Sequence, residues 1–415
     1  MRSRFAGLVL VGALALAGCS AGSSTRWKGP GSASDPSGSS SAAGPVASAT
    51  ITTPANGAAN VSTAVEVAYA ATNAASTTVS LTDASGASVP GAMRADGSAW
   101  LPDKQLKYGT QYTLTVTATG TDGKPSSATS TFTTMAKPGS LARVSSVVGD
   151  GQVVGVGMMM IVSFGVDVAK DKRADLQKRL FVTSNPPQEG VWNWFTSKEV
   201  HFRPKTYWKP GTKITVRAAV GGMPVGGKWY AEKDLAIRAT VGSKLVMEID
   251  NKTKQMTVTK DGTEIKKIPV SLGKSSTPSD SGNFIVMVKN PWEWFDSSTY
   301  GVPVDGPGGY RTKVYWPQRI TWSGQYVHAA PWSEGDQGKR NVSHGCVNIS
   351  LALGEWLYSI THIGDPVIVR NTESRVKYGD GWTDWEQSWE QYVKGSAIPY
   401  TPTSDASPSA SPSAS

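Results

Sequence analysis

The chain has 415 residues, enough for roughly two to four domains at ~150 residues each. Only 39% is hydrophobic, while Gly (44) and Pro (25) abound, which suits short strands and turns and excludes a coiled coil or a polytopic membrane protein. Net charge is +9, but charged residues are only 18% and form no dense Lys/Arg block; this fits mild attraction to anionic polymers at a cell surface, and no nucleic-acid-binding motif accompanies it.

The chain opens with Met1-Arg2-Ser3-Arg4, then an apolar run from Phe5 to Ala17, then Gly18-Cys19. A positive start before a short apolar stretch is a secretory signal, and the run is too short to persist as a membrane-spanning helix. Its end, Leu16-Ala17-Gly18-Cys19, resembles the bacterial lipobox, in which the cysteine is lipidated and becomes the new N-terminus. Residues 1–19 are then a signal peptide, and the acylated Cys19 anchors the protein to the outer face of the cell membrane. Residues 20–45 are Ser, Gly, Ala and Pro with few charges and read as a flexible tether. Cys346 is left as an unpaired thiol in an exported chain.

Residues 46–135 alternate: Val65, Val67 and Tyr69 share a face, as do Val79 and Leu81, and Tyr112, Leu114 and Val116. Asp96-Gly97 and Asp122-Gly123 supply turns, and the pattern predicts an antiparallel sandwich. Lys107-Tyr-Gly-Thr-Gln-Tyr-Thr-Leu returns as Lys209-Pro-Gly-Thr-Lys-Ile-Thr-Val. That repeat predicts two tandem immunoglobulin-like sandwiches, 46–135 and 136–242. Residues 243–371 form a third, mostly-β unit with a hairpin turn at Lys260-Asp261-Gly262-Thr263. One helix is expected there, at roughly 352–362, from Leu353, Trp356, Leu357 and Ile360. In the extension over 372–398, the spacing of Trp382, Trp385, Trp389 and Tyr392 predicts one short helix capped by Thr383 or Asp384, its aromatic face docked on the domain. Residues 399–415 are low in complexity and read as a disordered tail.

The chemistry concentrates near Cys346. A cysteine needs a base or cationic neighbours to become a thiolate at neutral pH. His328 and His344 are two of only four histidines in the chain. Gly345 permits close backbone approach, so neighbouring N–H groups could line an oxyanion hole. Spacing alone leaves core packing and catalysis both open. For a metal site, two histidines and a cysteine lack a secure fourth ligand.

His328, an intervening loop, and then Ser343-His344-Gly345-Cys346-Val347-Asn348 resemble the signature of the L,D-transpeptidase (YkuD-type) catalytic domain. Asp296-Ser-Ser-Thr-Tyr-Gly-Val-Pro303, Gly309-Tyr-Arg-Thr312, His328-Ala-Ala-Pro-Trp-Ser333, Asn185-Pro-Pro and Trp208-Lys-Pro-Gly-Thr212 extend the resemblance to the actinobacterial, mycobacterial-type enzymes over roughly residues 46–395. The fold this implies is mostly β: two immunoglobulin-like sandwiches, then a catalytic β-sandwich with one short helix and a Trp-rich extension. The resemblance makes Cys346 the nucleophile and His328 the general base, with the Ala329 carbonyl orienting the imidazole. His344, Gly345 and Cys346 would supply oxyanion-hole donors, mainly through main-chain N–H groups. Tyr310, Ser323, Gly324, Trp332 and Asn348 match cleft-lining positions, and residues 296–312 match a lid. Phe295 stands where some relatives carry methionine. The implied activity joins peptidoglycan stem peptides. A donor tetrapeptide loses D-Ala to give a thioester, and an acceptor amine resolves it as a 3→3 cross-link. No metal or cofactor is implied, and carbapenem β-lactams are expected to acylate the same thiol. A wall-cleaving Cys/His peptidase and a non-catalytic wall-binding lipoprotein are the alternatives.

Overall fold

The computed structural model describes residues 46–402; Cys19, the signal segment, the tether over 20–45 and residues 403–415 lie outside the described residues. The described fold is mostly β, as the alternation implies.

Tyr112, Leu114 and Val116 point inward from Gln111–Thr119, at the middle of a four-stranded sheet with Ser76–Asp83, Pro125–Thr134 and Ala58–Val61. They pack with Val67, Leu81 and Phe132 into the core of the first sandwich. Asp122-Gly123 turns the chain between the two longest strands. Two further four-stranded sheets, both built from residues between Val144 and Val241, face each other across a second core that holds Met158, Met160, Val162, Trp208 and Val216. Ile285, Met287 and Trp382 of the C-terminal part join that same core.

The third sandwich positions the site. Its larger sheet orders Thr263–Pro269, Gln255–Lys260, Leu245–Asp250, Pro366–Arg370, Asp280–Ile285 and Ser374–Arg375. Asp261 and Gly262 both take positive φ between paired Lys260 and Thr263, as a tight hairpin turn requires. The smaller sheet orders Val288–Lys289, Gln318–Arg319, Tyr326–Ala329 and Val347–Ile349. Met247, Val258, Phe284, Val327, Val347 and Ile349 fill the space between the two sheets. The expected helix runs Leu351–Ile360, capped by Ser350 Oγ, which accepts the Leu353 N–H. Gly354 lets this helix lie against the site, because a Cβ there would stand 2.8 Å from the Ala329 Cβ.

Two expectations are corrected. A helix at Lys170–Gln177 was not anticipated in the second sandwich. Its sequence is nearly all charged or polar and Leu176 is its one buried apolar side chain, so no apolar period announces it. The aromatic extension is not one helix but a 3-10 turn at Asp384–Glu386 and a short helix at Trp389–Tyr392. Neither Thr383 nor Asp384 caps it; Ser388 does, in a capping box with Gln391. The Asp384 carboxylate is instead drawn to buried His201, 3.0 Å from Nδ1, and accepts the Tyr392 hydroxyl at 3.1 Å. Asn193 Nδ2 donates to the Tyr392 carbonyl and Trp385 Nε1 donates to the Gly157 carbonyl, so the extension is latched onto the second sandwich.

Burial alone would lower the His201 pKa, but Asp384 and Glu199 outweigh it and raise it to about 9. The folded state therefore binds the His201 proton more tightly than the unfolded chain does. That stabilisation is complete below pH 6.5 and is lost as pH rises through about 9, reaching on the order of 3 kcal/mol at most. Chemical denaturation across this window should show falling stability for the wild type and a flatter profile for the double variant His201→Gln/Asp384→Asn. A wild-type profile as flat as the variant's would contradict the latch.

Candidate active site

Two short strands create the site. Tyr326–Ala329 runs parallel to Val347–Ile349, with Val327 opposite Val347 and His328 opposite Asn348. The valines and Ile349 are buried in the core, so apolar burial sets the register and the alternation turns His328 and Asn348 to the other face. Cys346 stands just before the second strand. The connecting loop is sewn to the segment at Ser271 and Leu272: Ser343 N–H donates to the Leu272 carbonyl at 3.1 Å, and Ser271 Oγ donates to the Arg340 carbonyl at 2.8 Å.

The turn bearing the thiol is clamped. Ser343 Oγ donates to the Cys346 carbonyl at 2.6 Å and accepts the Gly345 N–H at 3.1 Å. Ser279 Oγ donates to the Gly345 carbonyl at 2.7 Å and accepts the Gly273 N–H at 2.9 Å. Gly345 has φ +127°, which a side chain would strain even though a Cβ would meet only Gln325 Cγ, at 3.6 Å. Gln325 is itself held by Asp280, donating to its carboxylate at 2.7 Å.

The Cys346 thiol is half-buried and donates to the Gly324 carbonyl at 3.7 Å. Nδ1 of buried His328 lies 2.9 Å from the Ala329 carbonyl oxygen. A carbonyl only accepts, so Nδ1 carries the proton and Nε2 remains an acceptor. Burial pushes the thiol up to about 12, and the Tyr326 N–H only partly opposes it. The residue as a whole keeps some exposed surface and lines both cavities of the cleft, so this burial is crowding by the cleft walls. Burial pushes His328 down to about 4, against the pull of the Ala329 carbonyl. Between these values the two groups rest as neutral thiol and neutral imidazole.

His344 is exposed at the cleft and engages Lys274. Its Nε2 lies 3.2 Å from the Lys274 ammonium and accepts from it; partial burial and then the Lys274 charge lower its pKa. The Tyr310 ring lies 5.8 Å from the His344 ring. Phe295 meets His328 edge-on at 5.3 Å, and exposed Trp332 lies 6.0 Å from His328. Asn348 Nδ2 donates to Ser333 Oγ at 3.0 Å. Ser323 Oγ pairs with Thr321, and its N–H donates to Asp380.

Two cavities meet at Cys346, His344, Tyr310 and Phe295. One, of about 260 Å³, is also lined by His328, Trp332, Ser343 and Asn348. The other, of about 510 Å³, is lined by Ser323, Gly324, Gly345 and Tyr326. The sequence-predicted site residues thus gather in one cleft, with Ala329 buried behind it; Cys19 lies outside the described residues. Among the described residues no group of three or more His, Cys, Asp or Glu is placed to hold a metal ion. Sequence reasoning missed Lys274, Ser279 and Gln325. The run Lys274-Ser-Ser-Thr-Pro-Ser279 signals a turn but not its partner.

Comparison with known proteins matches this arrangement to a family. The L,D-transpeptidase catalytic domain model matches residues 244–369, and a bacterial Ig domain model matches residues 58–224. L,D-transpeptidase 2 of Mycobacterium tuberculosis is 38% identical over 343 residues, covering 82% of this chain and 83% of that protein. The chain belongs to the L,D-transpeptidase family. L,D-transpeptidase 5 of Mycobacterium tuberculosis is 32% identical over 328 residues, covering 77% of this chain and 71% of its own. A solved LD transpeptidase in complex with imipenem is 31% identical, covering 55% of this chain and 100% of its own, with a TM-score of 0.48. The protein is therefore an acyltransferase enzyme of this family, with its immunoglobulin-like part preceding its L,D-transpeptidase catalytic domain.

Removing the Ser279 hydroxyl leaves the Gly345 carbonyl and the Gly273 N–H without their partner. Ser279→Ala should cost about 1–3 kcal/mol in denaturant unfolding. A loss within about 0.5 kcal/mol of wild type would show that the clamp is not needed.

Proposed function

We propose that this L,D-transpeptidase forms 3→3 cross-links between peptidoglycan stem peptides through a thioester on Cys346. The observation that carries this reading is the pairing of the His328 strand with the Cys346 strand, with Nδ1 of His328 directed to the Ala329 carbonyl. That bond leaves Nε2 free to accept a proton.

In the first half-reaction, Sγ attacks the carbonyl between the diamino acid and D-Ala of a tetrapeptide stem. Its proton passes to His328 Nε2 as the sulfur–carbon bond forms, so no free thiolate accumulates. Negative charge moves to the carbonyl oxygen, where main-chain N–H groups of residues 344–346 receive it. The Gly345 N–H is engaged by Ser343 Oγ at rest and must turn outward to contribute. The imidazolium then returns its proton to the departing D-Ala amine. In the second half-reaction, an acceptor side-chain amine attacks the thioester and His328 takes its proton. Sulfur leaves and is reprotonated.

Two cavities converging on one sulfur suit a donor and an acceptor held together, which favours transfer to an amine over hydrolysis. Tyr310, Ser323, Gly324, Trp332 and Asn348 are the proposed substrate contacts. A carbapenem presents a strained amide to the same thiol, and its opening should acylate Cys346. Cys19 is the proposed lipid anchor on the outer face of the cell membrane. The first sandwich is proposed as a stiff spacer. Glu66 pairs with both Arg94 and Arg179, at 2.9 and 2.8 Å, and Thr63 Oγ1 donates to the Gly221 carbonyl at 3.0 Å.

Intact mass spectrometry with a disaccharide-tetrapeptide tests the proposal. Wild type should gain the stem lacking D-Ala and release cross-linked dimer, and Cys346→Ala should do neither. His328→Ala should lower the acylation rate by about 10²–10⁴. Released tripeptide without dimer would make the protein a hydrolase. Cross-linking that survives Cys346→Ala would remove the nucleophile.

A further inference from the structure

Residues Trp292–Asp296 and Arg311–Tyr315 pair as an antiparallel hairpin. Its inner face carries Phe295, Thr312 and Val314, which line the smaller cavity. Alternation sends the other set outward. Trp292 stands opposite Tyr315, and Trp294 opposite Lys313. These aromatic groups are 47%, 40% and 49% exposed for Trp292, Tyr315 and Trp294. The Lys313 ammonium lies 4.5 Å from the Trp292 ring centre and 5.1 Å from that of Tyr315; the Arg311 guanidinium lies 5.1 Å from a Trp294 ring centre. Three large rings left in water on one face of a two-stranded ribbon are unusual for a surface without a ligand.

We propose that this outer face is a binding platform for the saccharide strand of the peptidoglycan whose stem peptide enters the cleft. The inference rests on the function proposed above and adds the glycan to its substrate. The rings offer electron-rich faces to the C–H faces of pyranose units. The two tryptophans are spaced about 7 Å along the strand, which presents successive stacking positions. Arg311 and Lys313 complement the carboxylates of stem peptides leaving the strand. Length agrees as well. The scissile bond follows the third stem residue, on the order of 10 Å of extended chain from the sugar. One sheet layer is about as thick, so a strand on the outer face can deliver its stem to the inner one. Trp294 also lines the larger cavity, so the platform runs into the cleft.

Trp292 and Tyr315 line neither cavity, so Trp292→Thr/Tyr315→Thr in the full-length protein separates platform from chemistry. Three readings are taken: binding to peptide-free glycan strands, turnover of glycan-linked tetrapeptide, and acylation by free tetrapeptide without sugar. The platform predicts that glycan binding weakens about tenfold and KM for the linked substrate rises by about as much, with kcat steady and acylation by free peptide within about twofold. Trp292→Tyr, which keeps a ring, should retain most binding. Equal losses on linked and free substrates, or no loss on either, would overturn the proposal. So would wild-type protein that ignores peptide-free glycan, or one whose rings serve instead to bind anionic phospholipid vesicles. If the double variant fails to fold, Trp292→Gln alone is read the same way. Failure of the proposed function shows separately, as no acylation of wild type by free tetrapeptide.

Discussion

The site depends on one parallel pairing, Tyr326–Ala329 against Val347–Ile349. A slip of one residue would turn His328 into the core and Val327 into the cleft. Buried Val327, Val347 and Ile349 make that slip costly, so the hydrophobic core specifies the geometry of the candidate site. The loop between the strands is held along its path as well, where Gly338 N–H donates to the Val270 carbonyl and Ser271 Oγ to the Arg340 carbonyl. Its last turn is held by Ser343 and Ser279 around Gly345. The helix behind it closes on Ala329 through Gly354, which fixes the carbonyl that orients the imidazole.

Burial acts on the two reacting groups in opposite directions. It raises the thiol and lowers the imidazole, so each holds its neutral form at working pH. In the proposed reaction the proton would therefore stay on sulfur until attack begins, and charge would then move from sulfur toward the carbonyl oxygen while the imidazole's basic nitrogen accepts the proton. In the proposed reaction, activation would fall to the substrate, which brings the developing oxyanion to its donors.

Local chemistry was legible in the chain. Cys346 and two of the four histidines, His328 and His344, fall within a short stretch, and strand alternation exposed the sandwiches. What stayed hidden was long-range or carried by polar residues. The helix at Lys170–Gln177 has a single buried apolar side chain, so periodicity was silent. The break at Ser388 in the aromatic extension is set by a cap, and a 3-4-3 spacing of rings reads straight through it. Asp384 reads as a helix cap, but its partner His201 lies in another sandwich. Lys274 and Ser279 reach the site from a separate loop, and no sequence spacing couples them to Cys346.

In the resting protein, burial favours a neutral Cys346 thiol and a neutral His328 imidazole in the same cleft. Thiolate absorbance in the ultraviolet, followed against pH in wild type with Cys346→Ser as the blank, tests it most directly. The account predicts no Cys346 thiolate at neutral pH and an onset only as pH approaches the raised value of about 12. A full thiolate signal at neutral pH, titrating away only in acid, would mean an ion pair with His328 and would contradict it.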